Sequence, residues 1–234
     1  RVLHHNNVDS QNFTEFIIPL PRETKKSFLT GLTQAVDDIR FNNIAVHHLQ
    51  LLKGSEMETE EQRLKYGMEN KYRVYEACLG NYKIGEETVP IAEIEEIVVG
   101  TNTMSSKEYF DLTVVNLLIK IFLHGDTYKP IFEVVRRNNI KSMEVITQIL
   151  EVTSNEFSQF RIFLDDFVKV GKNKCFDSKE ELEKTLTSPK AIDNLINSES
   201  AQNELLAFRA QALRKHYKVC TLVLQSAIKS ILRK

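Results

Sequence analysis

Tight turns are made chiefly by glycine and proline, and this chain holds only eight glycines and five prolines in 234 residues. Average usage is roughly 12% for the two together, about twice what is present. Sandwiches, barrels and propellers need a turn signal about every ten residues, so a shortage of turn formers argues against them and for long helices. The 42% hydrophobic and 27% charged content excludes a disordered chain. A chain of this length buries a sizeable core without disulfides or metals.

Hydrophobic periodicity points the same way. Between Arg22 and Phe41 the apolar residues Phe28, Leu29, Leu32, Ala35, Val36 and Ile39 recur at three- and four-residue steps, predicting an amphipathic helix. Residues 44–52 alternate like a strand at Ile44 and Val46 but suit a helix at Leu49, Leu51 and Leu52, and their surroundings favour helix. Met57 to Leu79 reads as a helix stopped by Gly80, and residues 81–90 as a connection. A short helix is expected at 91–97, where isoleucine recurs every third position. Ser105 and Glu108 form a capping box before a segment that is apolar on nearly every side to Leu123, which marks a central helix. Further starts are read at Pro130, Ser142, Ser178 with Glu181, and Ser188-Pro189. From about Glu199 to Leu232 no glycine or proline interrupts a seam of Leu206, Ala210, Leu213, Tyr217, Cys220, Leu224, Ala227 and Ile231.

The fold expected is therefore all-α: an irregular helical bundle of about eight to ten helices with a long C-terminal scaffold helix. Residues 1–21 read as an extended N-terminal arm, because Pro19 and Pro21 keep the apolar clip before them from being helical. Residues 22–234 read as a single helical domain, with a candidate sub-boundary near 80–104.

The net charge of -1 predicts neither a nucleic-acid nor a membrane partner, but the charges are unevenly placed. Residues 55–98 are strongly acidic, whereas Leu205 to Lys234 carry seven bases and no acid. Arg209, Arg214, Lys215, Lys218, Lys229 and Arg233 define a candidate surface for an anionic partner. The longest apolar run, 114–123, is broken by Asn116 and Lys120, so no transmembrane segment is expected.

Catalytic signatures are missing: there is no phosphate-binding glycine loop, nucleophile elbow or Cys/His pairing. The histidine pairs His4-His5 and His47-His48 have no helical chelating spacing, and His124 reads as a cap for a helix C-terminus. Asp37-Asp38 and Asp165-Asp166 look like magnesium-binding pairs, but neither has another acid one turn on, and a solvated helix face is the better reading. No metal, cofactor or catalytic residue is assigned. Cys78, Cys175 and Cys220 have no zinc or redox spacing and slightly favour a cytoplasmic setting. The sequon at Asn12, a glycosylation candidate, and the start at Arg1 rather than Met fit a secreted chain instead.

The function expected from these features is non-catalytic: a structural or interaction protein that works through protein–protein contacts, self-association among them. The alternative is a carrier of an apolar small ligand between helices, motivated by Phe110, Phe122, Phe132, Phe160, Phe163 and Phe167. A third reading is an anionic-surface binder, of lipid or nucleic acid, acting through the basic C-terminal helix.

Overall fold

The computed structural model describes residues 12–197 and 203–233. The expected helices are abundant, but the fold is mixed α/β and not all-α. Among the described residues, ten α-helices accompany a four-stranded sheet.

The first half of the described chain builds the sheet. Strand β1 (Phe13–Ile18) alternates outward and inward side chains, as β-branched and aromatic residues do on a pleat. Helix α1 (Lys25–Thr33) starts at a reciprocal Thr24–Ser27 cap, buries Phe28 and Leu32, and runs into a π turn at Gln34–Ile39 closed by left-handed Arg40. It carries the chain back to β2 (Asn43–Gln50), which pairs parallel to β1 from Phe13 opposite Asn43 to Ile18 opposite His48. A parallel pair needs such a crossover. The segment read as helical at 44–52 is thus largely strand, and its alternation at Ile44 and Val46 was the true signal.

After a short helix α2 (Glu60–Tyr66), ended by left-handed Gly67, two long strands follow. β3 (Glu69–Ile84) and β4 (Glu87–Gly100) form an antiparallel hairpin around Gly85, whose φ of +65° suits a residue without a Cβ. The helix expected at 57–79 is thus helical only over α2 and strand from Glu69 on, and the hairpin also replaces the helix expected at 91–97. β4 also pairs antiparallel with β2, so the order among the described residues is β1-β2-β4-β3. The hairpin register slips between Val74 and Leu79, where Val74 faces Ile94 but Leu79 faces Ala92. Four residues of β3 bulge there against one of β4.

The second half is helical. α3 (Ser106–Phe122) begins at the expected Ser105–Glu108 box and is buried nearly all round, as expected of a central helix. α4 (Lys129–Arg137), α5 (Ser142–Glu156), α6 (Ser158–Asn173), α7 (Lys179–Thr185) and α8 (Pro189–Ile196) follow. The Asp37 carboxylate accepts from the Ser142 and Met143 amides at 2.6 and 3.1 Å, so α5 is capped from across the fold.

The long C-terminal scaffold helix is broken. α9 (Glu204–Arg214) ends at Lys215, and α10 (Tyr217–Leu232) starts after His216. The break lets α9 pack on α3 and α6 while α10 packs on α5. Aromatic contacts hold it: His216 lies 5.0 Å from Phe163, and Tyr217 stacks on Tyr128 at 6.0 Å. One continuous hydrophobic cluster joins the inner faces of β1 and β2 to α1, α3, α5, α6 and α10.

Candidate functional site

Where the sheet meets α3, α6 and α9, the packing leaves a cavity of about 770 Å³. Strands β2 to β4 supply His48, Gln50, Arg73, Tyr75, Glu76 and Glu95; the helices supply Tyr109, Asn116, Phe167, Gly171 and Glu204. The β3 bulge delivers Tyr75 and Glu76, in keeping with the use of bulges to re-aim side chains beside sites. A backbone bridge between Tyr72 and Phe176, with bonds of 3.0 and 2.8 Å, draws the loop carrying Lys174 and Cys175 against β3.

A chain of buried charges crosses one side of the cavity. Arg73 donates through Nε to Glu95 Oε1 at 2.5 Å and through Nη1 to Glu204 Oε1 at 3.3 Å, and Lys174 donates to Glu204 Oε2 at 2.7 Å. The four side chains are only 7–10% exposed. Gln50 donates to the other oxygen of Glu95. Glu76 stands 3.9 Å from Arg73 and accepts from Asn203 Nδ2 at 2.6 Å. Asn203 in turn caps α9, accepting from the Leu206 amide, and Glu204 occupies the first turn, where the helix dipole favours an anion.

Burial opposes the charges of Glu204, Arg73 and Glu76, and the neighbours decide the outcome. For Glu204 burial acts to raise the carboxyl, but Lys174 and Arg73 outweigh it and hold it down at about 2. Burial likewise works against Arg73, and Glu95 and Glu204 more than compensate, so the guanidinium is held more firmly charged than usual. Glu76 differs. Burial and then the Glu204 charge push it up, and Arg73 and Asn203 do not fully offset them.

Beside the charges lies a neutral donor–acceptor pair, with Tyr109 Oη and His48 Nδ1 2.5 Å apart. Burial first, and then Arg73, push the imidazole down to about 3, so it is uncharged at neutral pH. Burial raises the Tyr109 phenol well above its ordinary value. The Cys175 thiol is also raised by burial and donates to the Gly171 carbonyl at 3.3 Å, which disfavours the thiolate a nucleophile needs. Asn116 is 5% exposed and its Oδ1 has no hydrogen-bond partner among the described residues. Phe110 and Phe167 line the cavity too, whereas Phe122, Phe132, Phe160 and Phe163 belong to the closed core.

The residues singled out from the sequence lie elsewhere. Arg209 is committed to the fold: it donates to the Lys120 and His124 carbonyls at 2.8 and 3.1 Å and so caps α3. Arg214 and Lys215 are exposed at the break, and Lys218, Lys229 and Arg233 are exposed along α10, none of the five in an ion pair among the described residues. Asn12 is exposed, and its carboxamide oxygen accepts from the Asn42 amide at 2.9 Å. His124 is not a charged cap. Its Nε2 accepts from the Ile44 amide at 3.1 Å, and burial, with Lys120 and Arg209 nearby, holds it down at about 4. His4 and His5 lie outside the described residues.

No cavity charge was anticipated. Glu76 and Glu95 sit in segments read as helix, and Glu204 was absorbed into a scaffold helix. The available signal was Arg73 between apolar and aromatic residues in an acidic stretch. Among the described residues no group of His, Cys, Asp or Glu is arranged to hold a metal ion, and no helix is long and apolar enough to cross a membrane. No protein-family model matches the chain, and no curated protein matches it.

Proposed function

We propose that this chain binds a small amphipathic organic molecule in the cavity between its sheet and α3, α6 and α9. The observation that carries this reading is the cavity itself. Its volume of about 770 Å³ lies within the usual range of ligand pockets, roughly 300–1,000 Å³. Its wall pairs aromatic surface from Tyr75, Phe110 and Phe167 with polar groups from His48, Asn116 and Glu76. Recognition is favoured over covalent chemistry because the candidate nucleophile, Cys175, is held as a thiol. The carrier expected from the sequence thus takes a form in which sheet and helices together enclose the ligand, and the ligand has a polar end.

Gly171 supplies the test. It lines the cavity within α6, and a Cβ built there meets only Phe110, at 3.8 Å, so the position has room to begin a side chain and Gly171→Phe is the variant chosen to fill the space. A fragment library titrated against the protein by two-dimensional NMR should shift the amide signals of Tyr109, Val168 and Gly171. The plugged variant should retain its fold and lose those shifts. No binder, or binders indifferent to the plug, would end this reading.

A second reading, docking of an anionic partner, draws on the exposed cations Lys218, Lys229 and Arg233, which share one face of α10 beside exposed Leu222. Changing all three to Glu removes such binding if it exists and leaves the cavity untouched.

A further inference from the structure

Resting on the cavity reading, we propose that the ligand is a cation, a primary amine joined to an aromatic or aliphatic body, whose ammonium group docks on the Glu76 carboxylate. The argument begins with a charge balance. Among the described residues, the buried network holds three carboxylates, Glu76, Glu95 and Glu204, against two cations, Arg73 and Lys174. Arg73 makes its close contacts with Glu95 and Glu204, and Lys174 one of its own with Glu204. Glu76 is left with an amide donor at 2.6 Å and a guanidinium only at 3.9 Å, and it is the most open of the three carboxylates, with its side chain 26% exposed.

A partly buried carboxylate without a cation at contact distance is costly, and a ligand that supplies one positive charge relieves the cost. The lining adds a fourth carboxylate, Glu15, whose nearest basic group is the exposed His47 imidazole at 3.5 Å. An anionic ligand would therefore meet an excess of negative charge. The exposed Lys172 ammonium stands 5.0 Å from the Phe110 ring but does not line the cavity, so it does not restore the balance there.

The second, independent observation is Asn116. Its side chain lines the cavity from α3, is about 95% buried, and makes no hydrogen bond with any described residue. Ammonium groups have three donors and no acceptor, so acceptors are what such a ligand seeks. A carboxylate, an unpaired carboxamide side chain and aromatic rings together suit an amine, because ring faces attract cations as well as apolar bodies. Tyr75 stands beside Glu76 on the bulge to provide such a face.

Three matched probes separate the possibilities: 2-phenylethylamine, 2-phenylethanol and 3-phenylpropionate, titrated by NMR against the unaltered protein, Gly171→Phe and Glu76→Gln. The amine should bind at least about tenfold more tightly than the alcohol, the carboxylate most weakly, and Gly171→Phe should abolish binding. Glu76→Gln keeps the side chain's shape and an acceptor for Asn203, and should bring the amine-to-alcohol ratio close to one. Sorting the wider library's cavity binders by charge repeats the comparison without any variant, and cations should dominate. If alcohols or carboxylates bind the cavity as tightly as amines, or the Glu76→Gln ratio is unchanged, the charge assignment is wrong while the cavity reading stands. If no compound of any charge binds in the cavity, both fall.

Discussion

Stability in mild acid tests the electrostatics of the cavity directly, through His48. An imidazole in an unfolded chain titrates near 6.5. In the fold His48 is held down at about 3, first by burial, then by Arg73, with His47 and Lys174 acting in the same sense and Glu204 against them. Between these two values the unfolded chain binds the proton and the folded protein does not, so stability falls as the pH drops through the window and is fully present above it. Each unit below 6.5 removes about 1.4 kcal/mol, or about 2 kcal/mol at pH 5. His124, held at about 4, acts with the same sign, and the raised Glu76 carboxyl acts with the opposite one. A variant that removes only the His48 share cancels both. His48→Gln retains a polar group for Tyr109 and does not titrate. Urea unfolding followed by circular dichroism at pH 7.5 and pH 5 gives four stabilities. The unaltered protein should lose about 2 kcal/mol more than the variant between the two pH values. Parallel losses in the two proteins would refute a buried, neutral His48.

Two further outcomes follow from contacts that join distant parts of the chain. Asp37→Ala removes both hydrogen bonds to the α5 N-terminus and should cost about 1–2 kcal/mol, seen as a Tm lower by about 4 °C, with Asp37→Asn intermediate. Arg73→Met leaves Glu95 and Glu204 buried with one cation fewer and should cost about 3–5 kcal/mol at pH 7 in urea unfolding, far more than a surface substitution such as Lys229→Met.

Helices whose signals are local were legible in the sequence: the Ser105–Glu108 box and the apolar α3 behind it need nothing from elsewhere. The errors arose where long-range pairing decides. β3 and β4 form a ribbon with both faces partly wet at its far end, where Tyr82, Ile84 and Ile91 are exposed, so no clean alternation was there to be read. Their isoleucines at 91, 94 and 97 fall by chance at a three-residue step. Two hairpin strands need only one tight turn, and Gly85 supplies it, so a low glycine count argues against many short strands and not against a few long ones. The C-terminal seam is continuous in sequence and broken in space for a related reason: nothing local ends α9, and the break is set by rings on α6 and at Tyr128.

The cavity shows the same dependence in sharper form. Arg73, Glu95, Lys174 and Glu204 come from two strands, a loop and a helix start, with up to 131 positions between bonded partners, and no motif spacing can encode that. What a sequence does carry is the cost of error. An arginine placed in a sheet interior must find carboxylates there, because an uncompensated buried charge is worth several kcal/mol of lost stability. Once Arg73 lies on a strand facing the helices, buried acids are required, and Glu95 and Glu204 meet the requirement. Glu76 is not required by that rule. Its neighbours already have closer partners, and beyond holding Asn203 at the start of α9, which a neutral acceptor would also do, it adds a negative charge. A group that raises the cost of folding without completing a pair is explained more economically by something the protein binds than by the protein itself.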